Sequence, residues 1–430
     1  MQKVKLMKRK KIQQHFYFRL IAVAVVVAFL SAVLAFSLKL LTEYFQHHIF
    51  QFASEKNPLL FIVLPTVGIT YIYFSRKYLF KNRKNKGIAE IYKTIDQRKE
   101  HLPFFKIPSH YLNGFLTVIF GGSTGIEVST VVAAATVGNS VYNKSFSANI
   151  YKLELIGAGV CAGVAVLFDS PVAGWLFAFE VIARKFNRSL FLSFTAAAMV
   201  AWGFLYLFPA EPILSLQVQD WQWIALPFIV ILSLLSGLLS AYFTLLVIHI
   251  KDFFAGIHNN FIRVNLGALA VGTLICFFPF LYGDSYHSLT DIFQQPQGYS
   301  VLFLFGLALL KPVASSLTLG AGGDGGVFAP SIVAGAYLGL GFAMVCNTLF
   351  GTSLIYINFA LIGAAATLST SIYAPFTALF LVCNMVPGGF ALTVPILLAC
   401  LISKYFTKSF ILPYNVYTYF TENSSPSKSV

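Results

Sequence analysis

Long apolar runs, cut by short polar and basic stretches, lay out the architecture of this chain. Leu20 to Leu38 is 19 residues without a charge, enough for about 28 Å of helix, close to the thickness of a hydrocarbon core. A cleaved signal peptide would carry an apolar core of only about 7–15 residues. This run is longer and many others follow it, so it reads as a retained membrane helix. A second span is predicted over about 58–75 and a long helix over about 189–208. Between the basic loop 76–106 and Arg188 the apolar segments are short and broken by glycine, too interrupted to be simple crossings. The pattern predicts an all-α polytopic membrane protein.

The polar positions orient these elements. Basic residues cluster beside apolar runs: Lys3, Lys5, Lys8, Arg9, Lys10, Lys11 and Arg19, then Arg76, Lys77, Lys81, Arg83, Lys84 and Lys86, then Arg184, Lys185 and Arg188. That is the pattern of cytoplasmic loops. Between Ser189 and Ile250 the only charges are Glu211 and Asp220, beside Trp221 and Trp223, which reads as an outer connection with an interfacial aromatic anchor. Residues 1–16 are then a basic cytoplasmic segment, 17–208 a first membrane repeat, 209–222 an extracellular linker, and 223–412 a second repeat. Residues 413–430 form a Tyr-rich segment and cytoplasmic tail. Because residues 17–208 start inside and end outside, the second copy must run upside down.

Two echoes support the repeat. Gly122, Gly125 and Gly138 fall on Gly323, Gly326 and Gly339, all 201 positions later. Ser170-Pro-Val-Ala-Gly-Trp-Leu176 matches Ala374-Pro-Phe-Thr-Ala-Leu-Phe380 at an offset of 204, which Gly159 with Gly363 and Glu180 with Asn384 also keep. Inverted repeats of short, tilted, broken helices meeting near the midplane are a transporter and channel architecture. The turn Gly320-Ala-Gly-Gly-Asp-Gly-Gly326 and its partner Gly121-Gly-Ser-Thr-Gly125 each feed an apolar helix. Such a tip exposes unpaired N–H groups and the positive end of the helix dipole, a ready anion site.

Composition agrees. The chain of 430 residues is 57% hydrophobic and 11% charged, against roughly 25% charged in a soluble protein, and its mean hydropathy is +0.74. The net charge of +14 is spent on the membrane-flanking clusters, so nucleic acid is not an expected partner and lipid is. Cys161, Cys276, Cys346, Cys383 and Cys400 lie in apolar stretches without ligand spacing, so they read as packing residues, and no metal or cofactor is expected. His47-His48 reads as solvated. Gly320-x-Gly322-x-x-Gly325 copies a dinucleotide fingerprint but lacks the βαβ setting that fingerprint needs.

Three carboxylates stand out. Glu127 is the only Asp, Glu, Lys or Arg between Lys106 and Lys144. In an apolar stretch it is a functional candidate, either a tethered competitor for a mobile anion or an N-terminal Glu that only complements the dipole. Asp324, alone between Lys311 and Lys404, is expected to form a turn with its own backbone. Glu180 is either an i, i+4 partner of Arg184 or a buried anchor or proton waystation.

These residues resemble the CLC family of chloride channels and anion/proton exchangers. Gly326-Val-Phe-Ala-Pro330 matches the family's GxFxP motif. Gly125-Ile-Glu-Val-Ser129 stands where the family has G-K/R-E-G-P and keeps the Glu. Asn85-Lys-Gly-Ile-Ala89 stands where it has GSGIP and keeps Gly-Ile, and Val416-Tyr-Thr418 falls at the family's terminal Tyr. The resemblance covers about residues 17–420. It implies that the amides of Val327 and Phe328 hold a central anion together with the Tyr417 hydroxyl, that Gly125, Ile126 and Gly326 contribute backbone, and that Glu127 is the external gate. Lys86 would stand at the pore Ser, and Val181 where exchangers often carry an inner proton-transfer Glu. That last departure leads to the expectation of a chloride channel gated by Glu127. A proton-coupled antiporter and a fluoride exporter are the alternatives within the family, and nitrate remains open as a substrate. A membrane-embedded enzyme would need a nucleophile or paired acids near the turns, and none stands there. The resemblance also implies a homodimer in the cell membrane, with both termini cytoplasmic.

Overall fold

The computed structural model describes residues 2–423 apart from 82, 84, 86, 98–100, 146–150, 210–213 and 215–217. The Lys86 expectation and half of the linker 209–222 therefore lie outside the described residues. The first half contains α1 (Gln2–Lys56), α2 (Leu60–Phe74), α3 (Ile88–Asp96), α4 (Lys106–Ile119), α5 (Glu127–Ser145), α6 (Lys152–Leu167), α7 (Pro171–Phe177) and α8 (Arg188–Leu207). The second contains α9 (Leu226–Ala255), α10 (Asn260–Phe277), α11 (Tyr286–Gln294), α12 (Val301–Ala321), α13 (Phe328–Phe350), α14 (Tyr356–Ile372), α15 (Pro375–Asn384) and α16 (Thr393–Phe406), and α17 (Val416–Asn423) ends the described chain. No strand occurs among the described residues. Among the described residues, seven helices are long and apolar enough to cross a membrane.

Local chemistry sets these bounds. No glycine or proline precedes Pro58, so nothing interrupts α1, which runs unbroken through the stretch 1–16 that the charge pattern marks as separate. The chain turns only at Asn57-Pro58, where Asn57 Oδ1 accepts from the Leu59 amide at 2.9 Å. Pro171 starts α7 and the Ser170 hydroxyl accepts from the Ala173 amide at 3.4 Å, a cap with proline in the first turn. Asn187 caps α8 through Leu190 N at 2.8 Å, and Ser300 caps α12 through Phe303 N at 3.2 Å. α12 ends at Gly322, whose φ of +106° is open to glycine and strained for other residues.

The two halves pack alike. α5 lies on α6 as α13 lies on α14, α1 on α6 as α9 on α14, α1 on α8 as α9 on α16, and α6 on α7 as α14 on α15. The inner helices α5, α6, α13 and α14 are almost wholly buried. The outer ones show apolar faces, with Val25, Val26, Phe29 and Val33 exposed on α1 and Leu302 and Leu309 on α12. Such faces suit lipid. Small residues let the inner helices touch: a Cβ on Gly138 would overlap the Leu155 carbonyl, and one on Gly339 would overlap the Phe359 carbonyl. Gly159 against Ala134 and Gly363 against Gly335 repeat the same approach. Small-residue contacts of this kind hold membrane helices together without a hydrophobic driving force. The five cysteines are free; four are buried and Cys276 is half-buried.

Gly339→Val forces a branched side chain into the Phe359 backbone and is expected to cost about 3 kcal/mol or more. Gly306→Ala, where no atom lies within 4 Å of the added Cβ, is expected to leave stability unchanged or slightly raised. Thermal unfolding of the two purified variants in detergent checks the contrast.

Candidate functional site

The two glycine-rich turns meet in an isolated antiparallel bridge between Gly125 and Gly326, residues 201 positions apart in the chain. Thr124 locks the crossing, its hydroxyl donating to the Gly326 carbonyl at 2.8 Å and accepting from the Gly326 amide at 3.0 Å. The surroundings follow the same two-fold. The Ser123 amide donates to the Thr318 hydroxyl at 3.0 Å, and the Asp324 amide to the Thr117 hydroxyl at 3.0 Å. The tips of α5 and α13 thus arrive at one point.

On one side of the bridge is a cavity of about 550 Å³, lined by Ile126, Glu127, Tyr282, Asp284 and Tyr286 among others. Lys39 and Asp169 pair at 2.6 Å on its wall. Glu127 opens α5, is buried, and folds its carboxylate back over Gly125 so closely that any Cβ there would overlap it. Its Oε2 and the Tyr286 hydroxyl make no close hydrogen bond among the described residues, but the two groups interact with each other.

On the other side three helix starts converge. α3 begins after Gly87, whose φ is +63°, and Val128 Cγ1 lies 3.5 Å from where a Gly87 Cβ would be. The Val128 side chain also fills the space beside Gly326, so that a Cβ on Gly326 would overlap it. The Tyr417 hydroxyl lies 3.4 Å from that same point. Tyr417 is buried, and its hydroxyl has no partner among the described residues. Asn415 fixes it there by capping α17, its Oδ1 accepting from the amides of Tyr417 and Thr418 at 3.1 and 2.9 Å. The Phe328 ring packs between Phe177 and Tyr417, with centroids 5.6 and 6.3 Å away. Gly125, Ile126, Glu127, Gly326, Val327, Phe328 and Tyr417 therefore stand together. The free amides at two helix starts, an unpartnered phenol and a movable carboxylate can bind a small anion and exchange it for a carboxylate oxygen.

One sequence expectation, that for Asp324, comes out differently, and Glu180 follows the anchor reading rather than the pairing one. Asp324 does not bond its own backbone. It pairs with His110 Nδ1 at 3.0 Å and accepts from Asn85 Nδ2 at 2.8 Å. Glu180 does not pair with Arg184. It accepts from Thr377 N and Thr377 Oγ1, both at 2.7 Å, at the start of α15, where a helix N-terminus attracts a carboxylate more than an exposed arginine does. Arg184 instead lies 3.9 Å from the Tyr92 ring centre. Asn384, matched to Glu180 by the repeat, donates to the Phe168 and Asp169 carbonyls at 3.2 and 2.8 Å. Val181 is buried beside Glu180. Glu180 and Val181 are not among the groups around Tyr417 and Glu127. His47 and His48 are exposed.

Sequence reasoning passed over Lys311. It is fully buried in α12 and donates to Gly283 O and Ser285 Oγ at 2.8 Å and to Ser123 Oγ at 2.9 Å. A lone Lys in an apolar run is as costly as a lone Glu, so the rule that singled out Glu127 would have found it. His110 stands 201 positions before Lys311, so Lys311–Ser123 and His110–Asp324 are the same inter-repeat link with different chemistry.

An inverted-repeat helical membrane protein whose two broken-helix tips meet at one buried point is the class this geometry defines. The family described as Voltage gated chloride channel matches residues 67–408, and the chain belongs to that family. Among its relatives is the H(+)/Cl(-) exchange transporter ClcA of Salmonella typhi, 26% identical over 357 residues, covering 80% of this chain and 74% of that one. Two solved structures share the fold. A CLC-type fluoride/proton antiporter superposes with a TM-score of 0.78 at 24% identity, over 93% of this chain and 96% of that one. A slow cyanobacterial Cl-/H+ antiporter does so at 0.77 and 20%, over 94% and 97%.

Lys311→Met leaves two hydroxyls and two carbonyls short of a donor at the crossing. It is expected to lower stability by about 2–4 kcal/mol, whereas Lys185→Met on the exposed surface is expected to change nothing measurable. Melting temperatures of the two variants in one detergent read the difference.

Proposed function

We propose that this protein exchanges small anions, chloride or fluoride, for protons across a membrane at the meeting point of α5 and α13. The observation that carries the reading is Glu127: a buried carboxylate with one oxygen in no close hydrogen bond among the described residues, folded over the helix tip at the floor of the cavity. In this reading the amides of Val327 and Phe328 and the Tyr417 hydroxyl hold the anion, with Gly125, Ile126 and Gly326 supplying backbone. Helix N-termini carry roughly half a positive charge, so they hold either a halide or the Glu127 carboxylate, and the two compete. Protonation removes the Glu127 charge and with it the hold of the tip. The neutral side chain then swings into the outer cavity while the anion takes its place. Return of the carboxylate releases the proton and expels the anion. One titrating group serves both ions, which is the physical basis of coupling.

The expectation of a channel gives way here. The relative and the structural neighbours named above are exchangers or antiporters by name, and Val181 lies apart from the Glu127–Tyr417 axis, so its lack of a carboxyl weighs little. The basic clusters favour a cell-membrane protein with both termini cytoplasmic. The family resemblance favours a homodimer.

In liposomes, an outward chloride or fluoride gradient is expected to drive proton uptake against a proton gradient through the wild type. Glu127→Ala is expected to abolish proton movement, a loss of about 100-fold or more, while anion flux continues. Anion flux with no proton movement in the wild type would return the reading to a channel.

A further inference from the structure

A line of buried polar atoms without partners runs along one face of α4. His110, Asn113 and Gly114 are spaced i, i+3, i+4 and so share that face. His110 and Asn113 are fully buried, and among the described residues His110 Nε2 and Asn113 Oδ1 have no hydrogen-bond partner. Opposite Gly114 stands Ser129, whose side chain occupies the space a Cβ would take there and whose Oγ is also without a partner. Ser129 lies in the first turn of α5, two residues after Glu127, whose Oε2 also makes no close hydrogen bond among the described residues. Buried polar atoms are as a rule hydrogen-bonded, so these four call for a role. The repeat does not demand them either. Ala314 and Pro330 stand 201 positions after Asn113 and Ser129, so the second half has no polar side chain at those two positions.

The other end of the line reaches a titratable network open to the cytoplasmic loop. Asp324 pairs with His110 Nδ1 and accepts from Asn85. Lys106 donates to Asn85 Oδ1 at 3.2 Å and to Glu90 at 2.9 Å, and Ser109 links Asn85 to Asn113 at 3.1 and 3.3 Å. Glu90 and Asn85 are partly exposed. The charged groups facing His110 and Asp324 are thus Lys106 and Glu90, with Arg76, which donates to Gly322 O at 2.8 Å, and Lys251.

We propose that this line is the inner proton route: a proton passes between the Asp324–His110 pair and Glu127 by way of Asn113 and Ser129, apart from the anion's path past Tyr417. The step is a bare proton transfer. Glu127 gives up the proton it brought from outside, the imidazole or the Asp324 carboxylate takes it, and the cytoplasmic network releases it. Asn113 and Ser129 are positioning residues that supply a hydrogen-bonding atom at each stage. The route takes over the task that a glutamate at position 181 would perform. It rests on the antiport reading above.

The test measures proton and anion flux together in liposomes for wild type, Asn113→Leu, Asn113→Ser and Ser129→Ala. Asn113→Leu keeps the volume and removes the polar atoms. It is expected to lower the proton-to-anion ratio by about tenfold or more with anion flux retained, which also shows that the variant is folded. Asn113→Ser is expected to recover part of the ratio, and Ser129→Ala to lower it less than Asn113→Leu. A merely structural role would move both fluxes together and leave the ratio unchanged. Wild-type ratios in Asn113→Leu and Ser129→Ala would overturn the route while leaving antiport standing. Should Asn113→Leu fail to fold, an unchanged ratio in both Asn113→Ser and Ser129→Ala overturns it equally. A wild type that moves anions without protons overturns antiport and route together.

Discussion

Everything in this molecule depends on two backbones touching at Gly125 and Gly326. A bridge between two turns deep in a membrane protein requires every polar group around it to be satisfied locally, because lipid offers no substitute. Thr124 supplies both partners for Gly326, and Thr117 and Thr318 receive the amides that flank the crossing. A Cβ at Gly326 would overlap Val128, and one at Gly125 would displace the Glu127 carboxylate from the tip. The close approaches of α5 to α6 and of α13 to α14 hold the two tips in register from behind.

The frame is symmetric and its chemistry is not. At matched positions the first half puts Glu127 where the second puts Phe328, and His110 where the second puts Lys311. One link uses an ammonium held by hydroxyls and carbonyls; the other is an imidazole against a carboxylate. A transporter needs two faces that respond differently to protons, and divergence of side chains on a two-fold backbone provides them without altering the helices. In the proposed cycle the anion is held by backbone and a phenol, groups that do not change charge, so that Glu127 alone changes the charge at the tip.

Much of this was legible in the chain. The 201-residue echo located the crossing, and the solitary charge singled out Glu127. Other features were hidden for identifiable reasons. Counting uncharged residues bounded α1 too tightly, while the absence of glycine and proline before Pro58 was the better guide. Asp324 looked like a turn former because its partner His110 lies 214 residues away in the chain, and no local rule reaches that far. Glu180 had Arg184 at helical spacing, yet the start of α15 lies closer in space. Lys311 was visible and overlooked. Channel and exchanger could not be separated from Val181, because proton routes are made by contacts between helices and a single position does not define one.

The most direct test of the central claim is to locate the bound anion. Crystals of the protein grown in bromide and measured at the bromine absorption edge report its position without reference to transport. The account predicts one strong anomalous peak in each chain, within hydrogen-bonding distance of the Val327 and Phe328 amides and the Tyr417 hydroxyl, with a second appearing at the Glu127 carboxylate position in Glu127→Gln. Bromide bound only elsewhere, with the space between Tyr417 and the α13 tip free of it, would contradict the account.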